Sequence, residues 1–323
     1  VVGTAAWGSA TTLAASSAEY TDNTATLETA YEYRVTRTAA GKPGTGYLRS
    51  GIDVPAVESR GRLLLLVDST IAGGLTADIA TLIQDLKADG WTVTRIDASR
   101  SDSVVATKAK IVAAYNQDAA NTKALYILGH IAVPYSGNIS PDGHGDHHGA
   151  WPADAYYGDM DGAWTDTSVN STSGSNSRNH NVPGDKKFDQ SSIPSPLELE
   201  VGRVDLFDMD LFGPNESGLL KNYLVKAHDF KHKVFTPTAR AIVFDHFTDV
   251  GNPLASTGYR AASALVGNAN VTNANGSGTP FHQLLNGQSY LFTYACGGGG
   301  YTQASNVGTS ADYAPFASYN ENF

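Results

Sequence analysis

Cys296 closes the segment Gln288-Ser-Tyr-Leu-Phe-Thr-Tyr-Ala-Cys296, which has the form of a strand delivering a thiol to its carboxyl end. Gly297 to Gly300 follow it, so the chain can turn sharply there and expose backbone N–H groups able to hold an oxyanion, with Gly297 nearest the sulfur. A nucleophilic thiolate needs an imidazole within hydrogen-bond reach. The candidates are His130, at the end of an apolar strand, and His144 and His148, each followed by glycine. The competing reading of a lone cysteine is a small buried apolar side chain, and with one cysteine no internal disulfide can form.

A second concentration of chemistry lies between Asp142 and Asp166. Asp142-Gly-His-Gly-Asp-His-His148 is followed by Trp151, Asp154, Tyr156, Tyr157, Asp159, Asp161 and Asp166. Carboxylates this dense repel one another unless a cation neutralises them. Asp159-Met-Asp161-Gly-Ala-Trp-Thr-Asp166 alternates carboxylates around a glycine in the manner of oxygen-rich calcium loops, without the terminal Glu of an EF-hand loop. Calcium is therefore expected at Asp159, Asp161 and Asp166, with Asp154 and Asp146 as further carboxylates. His144, His147 and His148 with Asp146 would instead suit zinc. A solvated polar loop with turn-forming Asp and Gly explains the same residues without any metal.

Positioning these groups requires a scaffold, and the pattern from Gly61 onward supplies one. Arg62-Leu-Leu-Leu-Leu-Val-Asp68 reads as a strand covered on both faces. Ile79, Leu82, Ile83 and Leu86 mark a helix over Thr76–Ala88, Trp91–Asp97 the next strand, Ser103–Asn116 the next helix and Lys123–Gly129 a third strand. Alternation of this kind predicts right-handed crossovers and a mostly parallel sheet flanked by helices, an α/β fold. Its functional groups should lie beyond the carboxyl ends of the strands, where Asp68, Asp97 and His130 stand. The two aspartates are read first as helix caps. A strand through Pro196–Asp205, a helix over Ser217–Lys233 and a strand over Ala239–Phe244 continue the alternation.

Residues 1–58 form a separate β-rich segment, with strands at Tyr31–Thr36 and Tyr47–Ile52, a turn at Gly41-Lys-Pro-Gly44 and a buried face of Tyr31, Tyr33 and Val35. The α/β domain spans 61–323, interrupted near 168–182 by a Ser-, Asn- and Gly-rich stretch that reads as a mobile insertion without a core. A formal charge of −10 disfavours a nucleic-acid partner, since no basic stripe is available to neutralise phosphates. Apolar runs such as Leu63–Val67 are too short to span a bilayer, and no signal peptide precedes them.

The order of these features resembles the gingipain-type cysteine peptidases, which share the caspase-like fold. Leu128-Gly129-His130-Ile131 and Val133–Pro134 resemble the family's Gly-Asp and Ile-Pro pairs after an apolar strand, with His in place of Asp. Asp154, Tyr157 and Gly158–Asp159 follow as in the family, and Val201-Gly202-Arg203-Val204 is similar to its Gly-Arg step. The resemblance covers about Leu63 to His246. It implies a catalytic pair, a His followed by Gly after one strand and a Cys at the end of a later one. His130 stands where a caspase-like order places the His, but Ile131 follows it. A second alignment sets Cys296–Gly297 itself in the His-Gly position, which makes the domain a catalytically degenerate relative.

Two classes of function follow. One is a secreted cysteine peptidase acting on protein or peptide substrates through Cys296 and a His. The other is a non-catalytic module outside the cell or on its surface, stabilised by metal and assembling with copies of itself or with other surfaces. A zinc hydrolase built on His144, His147, His148 and Asp146 is a third reading.

Overall fold

The computed structural model describes residues 7–54, 59–141, 143–209, 213, 215–247, 255–286, 288–300 and 302–313. The α/β expectation holds. Strand β3 (Gly61–Asp68) passes through the single-turn helix α1 (Ser69–Ala72) into α2 (Thr76–Ala88), then β4 (Trp91–Ala98), α3 (Val104–Tyr115) and β5 (Thr122–Leu128). A first parallel sheet has the order β4-β3-β5-β8, its last strand being β8 (Glu200–Val204). Side chains of β3 alternate between two cores, as the twofold period of a strand requires. Leu64 and Leu66 pack with Ile111, Leu125, Ile127 and Tyr157 on the α3 side. Leu63, Leu65 and Val67 pack with Ile79, Leu75, Leu220 and Leu224 on the other, where α2 meets α5 (Glu216–Lys231).

A second parallel sheet has the order β10-β9-β11, formed by Val271–Asn273, Ala241–Asp245 and Phe292–Cys296. Helix α6 (Ser256–Val266) connects β9 to β10 and packs on β9. The chain thus repeats one arrangement: first strand central, second on one side, third on the other. The chemistry repeats too. Each first strand ends in a buried aspartate, Asp68 and Asp245, whose Oδ1 accepts the backbone N–H two residues on, from Thr70 and Phe247, each at 2.9 Å. Each third strand runs into a Gly beside that aspartate's strand end. A Cβ on Gly129 would come within 2.7 Å of the Asp68 Cβ, and one on Gly297 within 2.5 Å of the Ser305 carbonyl oxygen, so neither position admits a side chain without movement.

Between β5 and β8 a polar lobe carries the antiparallel pair β6 (Tyr135–Ile139) and β7 (Gly149–Pro152) and the single turn α4 (Ala155–Gly158). The stretch 168–182, read as a core-less mobile insertion, is instead tied down by polar side chains. Ser171 and Asn181 exchange backbone bonds at 2.7 and 2.9 Å, and buried Asn181 donates to the carbonyls of Gly137 and Phe188. Asp189 accepts from the N–H groups of Thr167, Ser168 and Val169 and from the Thr165 hydroxyl. Burial opposes ionisation of Asp189, but those donors outweigh it and hold the carboxyl far below the usual carboxylate range. Composition misled here because hydrogen bonds rather than apolar burial order the segment. An Asp189→Ala variant should lose amide-exchange protection at Thr167, Ser168 and Val169 by roughly tenfold or more while the β3 amides keep theirs. Unchanged protection at those three amides would show the strap is held otherwise.

The N-terminal segment is a hairpin, β1 (Tyr31–Ala39) with β2 (Lys42–Ser50). Its turn lies at Ala40–Gly41, both at positive φ, as two-residue hairpin turns require, and not at Gly41–Gly44. Among the described residues the expected buried face does not form: Tyr31 and Tyr33 are half-buried and Val35 is exposed. The strand expected from Pro196 begins at Glu200, with Leu199 buried just before it. No helix among the described residues is long and apolar enough to cross a membrane.

Candidate functional site

Cys296 sits where β11 ends, beside the end of β9, and is half-buried. Its Sγ lies 3.2 Å from Asp245 Oδ1 and 3.9 Å from the Phe244 carbonyl oxygen, so the thiol donates to a carboxylate. Burial first, and then the Asp245 hydrogen bond and charge, push the thiol up to about 11. A catalytic cysteine needs the opposite shift, produced by a cation or an imidazole. Among the described residues no imidazole hydrogen-bonds the sulfur. Of the glycines that follow, Gly300 already donates its N–H to the Gln303 carbonyl at 2.8 Å, and Gly297 packs on the Ser305 carbonyl.

His130 belongs to the first sheet. Its Nδ1 is 2.9 Å from Asp205 Oδ2, and its ring stacks on Phe207 with centroids 4.1 Å apart. Arg100 lies over the same Phe207 ring and donates to buried Asp68 and to Glu216. His130 is thus the imidazole of an Asp–His couple at the carboxyl edge of the sheet, where the rule for open α/β sheets places functional groups. Asp68 is a cap as expected. Asp97 is not: it is half-exposed and pairs with Arg95, while Ser103 caps α3.

The carboxylates of the polar lobe have separate duties. Asp154 takes a two-pronged bond from Arg203, Nε to Oδ2 and Nη2 to Oδ1, each at 2.8 Å. Asp166 receives the N–H groups of Gly184 and Lys186, each at 2.7 Å, and fastens that loop. Asp146 is exposed and lies 3.9 Å from His147 Nε2. His144 and His147 meet edge to face at 5.5 Å, and His148 Nδ1 is 3.2 Å from the Ser140 hydroxyl. Among the described residues these His and Asp side chains form no group of three at metal-ligand spacing; Asp142 lies outside the described residues.

Asp159 and Asp161 do come together, and their third partner is Glu198, with one oxygen from each within 4.8 Å of the others. Buried Asp159 accepts from Gly162 N, from the Ser195 hydroxyl at 2.6 Å and from the Trp164 indole N–H at 3.0 Å. Burial opposes its ionisation, but these donors hold its carboxyl below the usual range, so it is charged at neutral pH. Lys108 reaches into this corner: it donates to the carbonyls of Tyr156 and Asp159 at 2.8 and 2.5 Å, and burial pushes it down to about 8. Sequence alone missed Glu198 because it lies in the approach to β8, far along the chain from the aspartates. It also missed Asp245 as the partner of the thiol, although an Asp at the end of Ala239–Phe244 was visible.

No family model matches the chain, and no curated protein matches it. The crystal structure of the Arg-specific cysteine proteinase gingipain R is similar to it over 79% of this chain and 51% of that one, with 13% sequence identity and a TM-score of 0.46. The chain spans about half the length of that structure.

Proposed function

We propose that this chain is a non-catalytic module that keeps a gingipain-like order of elements and acts through its surface, with a calcium-class cation held by Asp159, Asp161 and Glu198. The observation that carries this reading is the Cys296 thiol, which donates to Asp245 and is pushed up to about 11 instead of being paired with an imidazole. Cys296 also ends the third strand of its sheet, the place a caspase-like order gives to its His. That supports the alignment in which Cys296–Gly297 replaces His-Gly. A polar composition with 33 Gly and 16 Tyr suits a protein outside the cytoplasm with surface contacts to make.

The direct test is peptide cleavage by the wild-type chain and by Cys296→Ala over a broad peptide library. Neither should turn over substrate, and any cleavage that Cys296→Ala abolishes returns the chain to the peptidases. The cation is tested separately. Three carboxylates with water completing the shell suit the weak end of calcium sites, about 10⁻⁴–10⁻³ M. Millimolar calcium should raise the melting temperature of the wild type and leave that of Asp161→Asn unmoved. An equal rise in both would place the ion elsewhere.

A further inference from the structure

The C-terminal ends of α2 and α5 bring together a carboxylate and two imidazoles. Asp85 lies in α2; His228 lies in the last turn of α5, and His232, four residues on, is the residue that caps its C-terminus. His228 Nδ1 is 2.9 Å from Asp85 Oδ2, and His232 Nε2 is 2.9 Å from Asp85 Oδ1. The rings stand 4.2 Å apart, and one ligand atom from each residue falls within 4.8 Å of the others. Asp85 is buried, whereas the imidazoles are partly open to solvent.

We propose that Asp85, His228 and His232 form a binding site for a divalent transition metal of the zinc class, joining α2 to α5. Two imidazole nitrogens and one carboxylate are the donor set of open zinc sites, which leave a fourth position for water or an external ligand. Tetrahedral ligands about 2.1 Å from an ion stand roughly 3.4 Å apart; the two 2.9 Å contacts, made to different oxygens of Asp85, open slightly to reach that spacing, and ligand atoms no more than 4.8 Å apart close to it. Each ring then carries its proton on the other nitrogen, as a ligating neutral imidazole must. Both helices end here, so the negative ends of two helix dipoles face the ion. The neighbouring cation, Lys231, donates to the Asp85 carbonyl and is paired with Asp89, which offsets its repulsion. Calcium is disfavoured at this site because imidazole is a poor ligand for it.

The test uses the full chain stripped of metal, with Co²⁺ as a visible probe and Zn²⁺ as its competitor. One equivalent of Co²⁺ should give a d–d absorption band that Zn²⁺ abolishes. His232→Ala and Asp85→Asn should each weaken binding by roughly tenfold or more. A His144→Ala/His147→Ala/His148→Ala variant should bind as the wild type does. If His232→Ala does not fold, His232→Gln carries the same comparison. A band that survives the α5 substitution, or one lost in the loop variant, overturns the proposal, as does the absence of any band in the wild type.

Discussion

An Arg203→Ala variant should lose roughly 2–3 kcal/mol of unfolding free energy, between the cost of breaking an exposed ion pair and that of breaking a fully buried one. Arg203 is 13% exposed in its side chain and sits on β8, where its guanidinium joins three parts of the chain. It grips Asp154 at the entrance to α4 with two bonds at 2.8 Å, and donates to the carbonyl of Ile131 at 2.7 Å, just after β5. Burial works against its charge, yet Asp154 and Asp205 more than offset that and raise its already high pKa further. Truncation strands the Asp154 carboxylate and leaves the Ile131 carbonyl without this donor. Lys in its place keeps the charge but not the planar fork, so Arg203→Lys should recover less than half of the loss. Urea denaturation of the wild type and both variants measures this, and a change under about 1 kcal/mol for Arg203→Ala would refute the assignment.

That result also bears on what sequence reading can deliver. Gly202–Arg203 was legible as a motif, but its meaning was not. The residues it grips lie about fifty and seventy positions upstream, and local pattern carries no record of such pairings. The elements were readable because their signals are local: Leu63 to Val67 as a doubly covered strand, Ile79 to Leu86 as one helix face, Ser103 as a cap. The sites were only half readable for the opposite reason. Asp159 and Asp161 announced themselves by spacing, whereas Glu198 joins them through the packing of β8 beside β5. His228 and His232 have visible i, i+4 spacing, but Asp85 reaches them only because α2 and α5 cover the same face of the sheet. Polar order in 168–182 escaped because Asn and Asp side chains there do the work that apolar periodicity signals elsewhere.

Alkylation of Cys296 at neutral pH should be about a hundredfold slower than that of an ordinary cysteine thiol. Raising the thiol from 9.0 to about 11 is a shift of two units, which lowers the thiolate fraction by that factor. The rate should climb tenfold per pH unit until the pH nears 11. Asp245→Asn removes the charge but not the burial that is the larger cause, so it should quicken labelling at pH 8 by roughly tenfold at most. The same shift has a sign for stability. The folded state favours the protonated thiol, so this contribution is fully present below pH 9 and is lost as the pH rises from about 9 through about 11. Cys296→Ala should remove that alkaline dependence. Neutral-pH labelling as fast as that of a small free thiol would show that the sulfur is activated after all. Slow labelling would mean that β11 delivers its thiol to a carboxylate of the neighbouring strand. An anion beside the sulfur stabilises the thiol and opposes the thiolate, so the contact with Asp245 ties the end of β11 to the end of its neighbour β9.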